Sequence, residues 1–122
     1  MYEVTIQQHF DAAHALRGYD GPCENLHGHR YQVAVCLAAD ELNDIGLACD
    51  FTELKAILGG QIISRLDHSY LNESPPFNEI NPTAENIARF IYEQLAQALP
   101  EARIRWARVW ESPDAWATYY PD

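Results

Sequence analysis

Apolar and polar side chains alternate along two stretches in the N-terminal third of the chain. In residues 2–10, Tyr2, Val4 and Ile6 alternate with polar side chains. Residues 27–39 repeat the pattern, with one face made of His29, Tyr31, Val33, Val35 and Leu37. A period of two residues is that of a half-buried strand, so the pattern predicts strands over 2–10 and His27–Ala39.

Two later stretches have the period of an amphipathic helix. The first follows Asp50, which with Glu53 three residues on is typical of a helix N-terminus. Its apolar positions are Phe51, Leu54, Leu58 and Ile62. Gly59 and Gly60 interrupt it, and each costs about 1 kcal/mol relative to alanine in a helix, so we expect a kink or break there.

The second helix is predicted after a proline-rich segment, residues 72–82, which we expect to be a surface loop. Thr83 is the expected N-cap. The predicted buried face consists of Ile87, Phe90, Ile91, Leu95 and Leu99.

The C-terminal residues predict two strands, 103–112 and 115–120, joined through the turn Ser112-Pro113-Asp114. The order ββααββ predicts an α+β fold: a four-stranded antiparallel sheet with two helices on one face. A chain of 122 residues is most simply one domain, 1–122. The aromatic side chains of the last hairpin indicate either a local cluster or a sheet that continues between subunits.

Composition and net charge exclude several classes of partner. The net charge is −10, with only eight Lys and Arg residues, which argues against nucleic acid or an anionic membrane surface as a partner. The chain has no apolar run of membrane-spanning length and no signal-peptide pattern at its start, so we expect a cytoplasmic protein. Three cysteines exclude a fully paired disulfide framework, and we interpret Cys36 and Cys49 as packing residues.

The stretch Cys-Glu-Asn-Leu-His-Gly-His, residues 23–29, carries the strongest chemical signal. His27 and His29 are two residues apart and point to one face of a strand, and His14 at the end of the first strand is the expected third ligand. Three imidazoles leave zinc an open, catalytic position, whereas Cys23 as fourth ligand would make a closed structural site. Nickel, cobalt or iron would also accept three imidazoles.

Two further positions are candidates for chemistry. Asp67 next to His68 can fix the imidazole tautomer and make a proton shuttle, or can simply cap a helix end. Glu111 ends an apolar strand, where a carboxylate needs a partner: an arginine such as Arg105 or Arg108, or the amidine edge of a pterin or guanine.

Several motifs together resemble the 6-pyruvoyltetrahydropterin synthase family. They occur in the family's order over nearly the whole chain, and the gap between Cys23 and His-Gly-His is similar to that of the bacterial 6-carboxytetrahydropterin synthase branch of queuosine biosynthesis. The motifs are Phe10-Asp11-Ala12-Ala13-His14, Cys23-x-x-x-His27-Gly28-His29, Asp50-Phe51, Leu66-Asp67-His68-x-x-Leu71-Asn72, Asn81-Pro82-Thr83-Ala84-Glu85-Asn86 and Trp110-Glu111-Ser112.

The resemblance implies the tunnelling fold, in which three subunits close a barrel and two trimers stack into a hexamer with active sites between subunits. It implies zinc bound by His14, His27 and His29, with Cys23 as general base or nucleophile. The implied relay pair is Asp67 and His68. Glu111 would anchor the pterin ring, and Thr83 falls in a stretch that lines the pterin pocket.

The implied substrate is 7,8-dihydroneopterin triphosphate, converted to 6-carboxy-5,6,7,8-tetrahydropterin with loss of triphosphate and acetaldehyde. Glu24 departs from the simple motif, because paralogues in folate synthesis use a glutamate in place of the cysteine. Glu24 is therefore either a solvated loop carboxylate or a second base that yields 6-hydroxymethyl-7,8-dihydropterin. A non-catalytic zinc-binding or pterin-binding module is the alternative from a different class.

Overall fold

The computed structural model describes residues 1–18 and 25–122, so Cys23 and Glu24 lie outside the described residues. The strands and helices follow one another along the chain as β1 (Tyr2–His14), β2 (His27–Ala39), α1 (Phe51–Ile57), β3 (Ser69–Tyr70), α2 (Ala84–Ala98), β4 (Arg103–Ser112) and β5 (Ala115–Tyr119).

The sheet has five strands in the order β3-β1-β2-β4-β5, and it is mixed. The prediction of four antiparallel strands in the order ββααββ was therefore wrong in this detail. The added strand β3 pairs in parallel with β1, Ala12 with Ser69 and Ala13 with Tyr70. Two residues are too few to show an alternating pattern, so the sequence carried no strand signal there.

Strand β1 continues past the alternating stretch 2–10 and ends at His14. The Asp-Ala-Ala segment at 11–13 has weak intrinsic strand preference. Pairing overrides that preference: β2 runs antiparallel to β1 along all 13 residues, and β3 adds to its other edge. The extension brings His14 directly opposite His27.

The predicted break in the first helix is confirmed. Asp50 caps α1 by accepting a hydrogen bond from the Thr52 backbone nitrogen. After Ile57 the chain forms a π-helical turn over Leu58–Ile62 and a 3-10 turn over Ile63–Arg65. The Gln8 side chain fills the space beside Gly59, since a β-carbon at that position would lie 3.0 Å from its Oε1 atom.

Helix α2 begins where predicted, with the Thr83 hydroxyl accepting a hydrogen bond from the Asn86 backbone nitrogen at 3.1 Å. Both helices pack on the same face of the sheet. The centre of this core consists of Phe10, Tyr31, Val33, Leu54, Leu58, Ile87, Ile91, Leu95 and Val109.

The last hairpin forms a local aromatic cluster on the other face. The Arg108 guanidinium lies 4.3 Å from the centre of the Trp106 ring, and Trp110 and Trp116 are 5.9 Å apart. Trp116 and Tyr120 nevertheless keep more than half of their surface exposed.

Cys36 is buried, Cys49 is partly buried, and both are free thiols. Burial raises the pKa of each thiol, as expected for cysteines that pack rather than react. Neither helix of the described chain has the length and apolar character that crossing a membrane requires.

Candidate metal centre

Three strands bring three imidazoles and one carboxylate together at the end of the core. His14 of β1 lies opposite His27 of β2, and His29 follows two residues later on the same face. Glu111 reaches them from the end of β4, where the pairing with β5 is irregular between Trp110 and Ser112. His14 is fully buried, and the other three residues are partly buried.

The backbone sets the tautomer of two of these histidines. The Nδ1 atom of His14 lies 2.8 Å from the carbonyl oxygen of Pro82, and the Nδ1 atom of His27 lies 2.6 Å from that of Asn25. A carbonyl oxygen only accepts hydrogen bonds, so each Nδ1 carries the proton and donates it. In the neutral ring the Nε2 atom is then a lone-pair acceptor.

These acceptor atoms face one another at short distance. The Nε2 atoms of His14 and His27 are 2.9 Å apart, and the Glu111 Oε1 atom lies 2.9 Å from the former. The same oxygen is 3.3 Å from the Nε2 atom of His29. That His29 nitrogen is buried and has no hydrogen-bond partner among the described residues.

A single proton cannot give all four of these atoms a hydrogen bond. A proton between the Nε2 atoms of His14 and His27 pairs only those two nitrogens and leaves the buried His29 nitrogen unpaired. Burial lowers the pKa of His29, although Glu111 raises it, so this ring favours the neutral, ligating form. A shared cation pairs all four atoms at once, and the four residues can therefore hold a metal ion.

The three imidazoles and the carboxylate are ligands that suit a metal ion of intermediate softness, such as zinc. Imidazole nitrogens with one carboxylate oxygen are ligands that zinc accepts in its four-coordinate sites. Sequence reasoning assigned Glu111 to the substrate and missed its contact with the histidines. The signal was present, because Glu111 follows the buried Val109 by two residues and thus points to the core face of β4.

Asp67 and His68 form a separate group. Asp67 and His68 lie beside Asp11, where β3 meets β1. Asp11 is three residues before His14 on β1, so the two side chains point to opposite faces of the sheet. The Asp67 Oδ1 atom accepts a hydrogen bond from the Asp11 backbone nitrogen at 2.9 Å, and its Oδ2 atom lies 3.0 Å from His68 Nδ1. The backbone hydrogen bond, with the adjacent imidazole, holds the pKa of Asp67 below its usual value.

His68 is held with its ring toward solvent. Its backbone has a positive φ of 57°, and its backbone nitrogen donates to the Asp11 carbonyl oxygen at 2.6 Å. The side chain is 79% exposed. Within one chain, the described residues therefore place the predicted relay pair in a different group from the three histidines.

Of the remaining predicted site residues, the structure describes Thr83 but not Cys23 or Glu24. Thr83 directly follows Pro82, whose carbonyl oxygen holds His14, and its hydroxyl is engaged as the α2 N-cap. A role of Thr83 toward substrate stays a prediction, as do the roles of Cys23 and Glu24, which lie outside the described residues.

Arg17 has a structural task that the sequence did not reveal. Its guanidinium donates hydrogen bonds to the carbonyl oxygens of Asn72, Phe77 and Ile80. The side chain of Asn81 in turn bonds the backbone of Arg17 in both directions, at 2.9 and 2.8 Å. Together these bonds fix the 72–82 segment that delivers Pro82 to His14.

The sequence is similar to those of known tetrahydropterin synthases. The family model described as 6-pyruvoyl tetrahydropterin synthase matches residues 3–122. The chain is 30% identical to a 6-carboxy-5,6,7,8-tetrahydropterin synthase of Haemophilus influenzae, covering 98% of this chain and 99% of that one. It is 40% identical to a Synechocystis protein of the same name, over 80% of this chain and 78% of the relative.

A solved structure supports the same assignment. The 6-pyruvoyl tetrahydropterin synthase of Caenorhabditis elegans superposes with a TM-score of 0.84 at 26% identity, over 100% of this chain and 98% of that one. The match therefore extends from sequence to architecture and includes the strands that carry the histidines. This chain belongs to the 6-pyruvoyl tetrahydropterin synthase family.

Proposed function

We propose that this protein is a zinc-dependent 6-carboxytetrahydropterin synthase of queuosine biosynthesis, acting in the cytoplasm. It would convert 7,8-dihydroneopterin triphosphate and one water molecule to 6-carboxy-5,6,7,8-tetrahydropterin, triphosphate and acetaldehyde. The observation that carries the proposal is the cluster of three Nε2 atoms and one carboxylate oxygen, in a chain that matches synthases of this name over most of its length.

In this proposal His14, His27 and His29 hold the zinc. Bound there, zinc supplies a Lewis acid that acidifies the hydroxyl groups of the substrate side chain. The carbonyl oxygens of Pro82 and Asn25 orient two of the three rings, as partners outside the ligand shell commonly do for zinc-binding histidines.

Cys23 and His68 move protons in the proposed reaction. Asp67 keeps His68 oriented through the 3.0 Å contact to Nδ1, which leaves Nε2 free to accept a proton or to donate one. The lowered pKa of Asp67 keeps its carboxylate charged at neutral pH, so it stabilises the imidazolium that forms. Cys23 is the proposed general base.

We propose a homohexamer, two stacked trimers, with each active site shared between subunits. The separation of the Asp67–His68 pair from the histidine cluster supports a shared site. The sheet also offers open edges for continuation: β5 on one side and, on the other, the part of β1 that β3 leaves unpaired. Edge pairing between copies would close the sheets into a barrel.

The first prediction concerns the product. Purified protein with zinc and 7,8-dihydroneopterin triphosphate should yield 6-carboxy-5,6,7,8-tetrahydropterin, measured by chromatography. Cys23→Ala should lower its formation by a factor of about 10²–10⁴, the usual contribution of a general base, and retain zinc.

Glu24→Ala is the matched control and should keep the carboxy product. If 6-hydroxymethyl-7,8-dihydropterin is instead the main product and depends on Glu24, cleavage is the function. If neither product forms with zinc bound, the non-catalytic module is the better account.

The second prediction concerns the metal. Purified protein should contain about one zinc per chain, and His27→Ala should lose it because one of three imidazole ligands is gone. His9→Ala is the control, since His9 is exposed and points to the other face of β1. Elemental analysis gives the answer, and undiminished zinc in His27→Ala would contradict the assignment.

The third prediction tests the shared site. His27→Ala and His68→Ala should each be inactive alone. Coexpressed in one oligomer, they should recover about a quarter of wild-type turnover, because random mixing pairs an intact metal half with an intact relay half in that fraction of sites. Failure of mixed oligomers, verified by two affinity tags, to recover activity would place both groups in one subunit's site.

A further inference from the structure

We propose that Glu111 has two exclusive positions: it is the fourth metal ligand in the resting protein, and it leaves the metal to bind the pterin ring. Metal and pterin then compete for one carboxylate. This inference rests on the proposed function and adds to it an exchange step at the metal.

The resting position follows from the distances. The Glu111 Oε1 atom lies 2.9 Å from His14 Nε2 and 3.3 Å from His29 Nε2. The ligand atoms of the four residues all lie within 4.8 Å of one another. A cation in this space is bound by the carboxylate as well as by the three imidazoles, which makes a closed, four-ligand site.

The second position follows from chemistry. The 2-amino-pyrimidinone edge of a pterin presents two parallel N–H donors, and a carboxylate pairs with them through both of its oxygens. The paired contact with this edge needs both oxygens of the carboxylate. If Oε1 is also bound to the histidine-bound cation, each of the two interactions is weaker than it would be alone. The Glu111 side chain is 30% exposed, so it has room to turn from one partner to the other.

Exchange of this kind has a thermodynamic signature. If both ligands draw on Glu111, binding of one weakens the other, and the factor is the same in both directions. Unsubstituted pterin is the suitable probe, because it has the amidine edge and lacks the side-chain hydroxyls that would themselves bind the metal. The exchange also opens a coordination position when the substrate arrives, which a catalytic zinc site needs.

The experiment uses Co²⁺ in the full-length oligomer, because its visible absorption reports coordination number and ligand type. Co²⁺ affinity is measured by chelator competition for wild type, Glu111→Gln and the control Glu101→Gln, a residue exposed in the turn before β4. Glu111→Gln should weaken Co²⁺ binding at least about tenfold, since loss even of outer partners has that effect. Its spectrum should change, whereas Glu101→Gln should match wild type.

The second part of the experiment measures the effect of pterin on Co²⁺ binding. Unsubstituted pterin should weaken Co²⁺ binding to wild type and shift its absorption, and it should do neither in Glu111→Gln. Circular dichroism of each variant verifies that the fold is intact.

Three results would overturn the inference. Glu111→Gln with wild-type affinity and spectrum would show that Glu111 is no ligand. A sulfur-to-cobalt charge-transfer band that disappears in Cys23→Ala would assign the fourth position to Cys23. Pterin that leaves Co²⁺ binding unchanged would exclude competition. The first and third results leave the proposed synthase function standing. Ligation by Cys23 would instead favour a closed, structural site, and wild-type protein that binds no metal would end both proposals.

Discussion

The candidate site depends on the close approach of three ring nitrogens and one carboxylate oxygen, which lie within 4.8 Å of one another at the end of the core. His14 has no exposed surface, and the other three side chains of the cluster are partly buried. Unpaired acceptors are costly in such a place. A cation bound there would interact favourably with all four atoms and remove this cost.

The fold holds this arrangement from several directions. Antiparallel pairing of β1 and β2 sets His14 opposite His27, and the carbonyl oxygen of Pro82 aligns His14 from the start of α2. Pro82 is itself fixed by the Arg17 and Asn81 hydrogen bonds. The candidate metal centre is thereby linked to the segment that precedes α2, where the family resemblance places part of the pterin pocket.

Local rules were enough to predict much of this from sequence. Alternation located both long strands, the caps Asp50 and Thr83 located both helices, and period two put His27 and His29 on one face. Gly59 and Gly60 marked the break after α1. Each of these signals lies within a few residues of the feature that it predicts.

The missed features depend on contacts distant in sequence. Strand β3 exists because Asp67 and His68 bond the backbone of Asp11, 56 or 57 residues away, and two residues leave no pattern to detect. The contact of Glu111 with His14 and His29 likewise joins the two ends of the chain. Cys23 and Glu24 lie outside the described residues, so their predicted roles rest on the sequence.

The most direct test of a metal centre made of three histidines and Glu111 is X-ray absorption at the zinc edge on substrate-free protein. We expect four nitrogen or oxygen neighbours at about 2.0–2.1 Å, with the multiple scattering typical of three imidazole rings. Glu111→Gln should keep the imidazole signal and change the remaining neighbour. A sulfur neighbour at about 2.3 Å, or fewer than three imidazoles, would contradict this account.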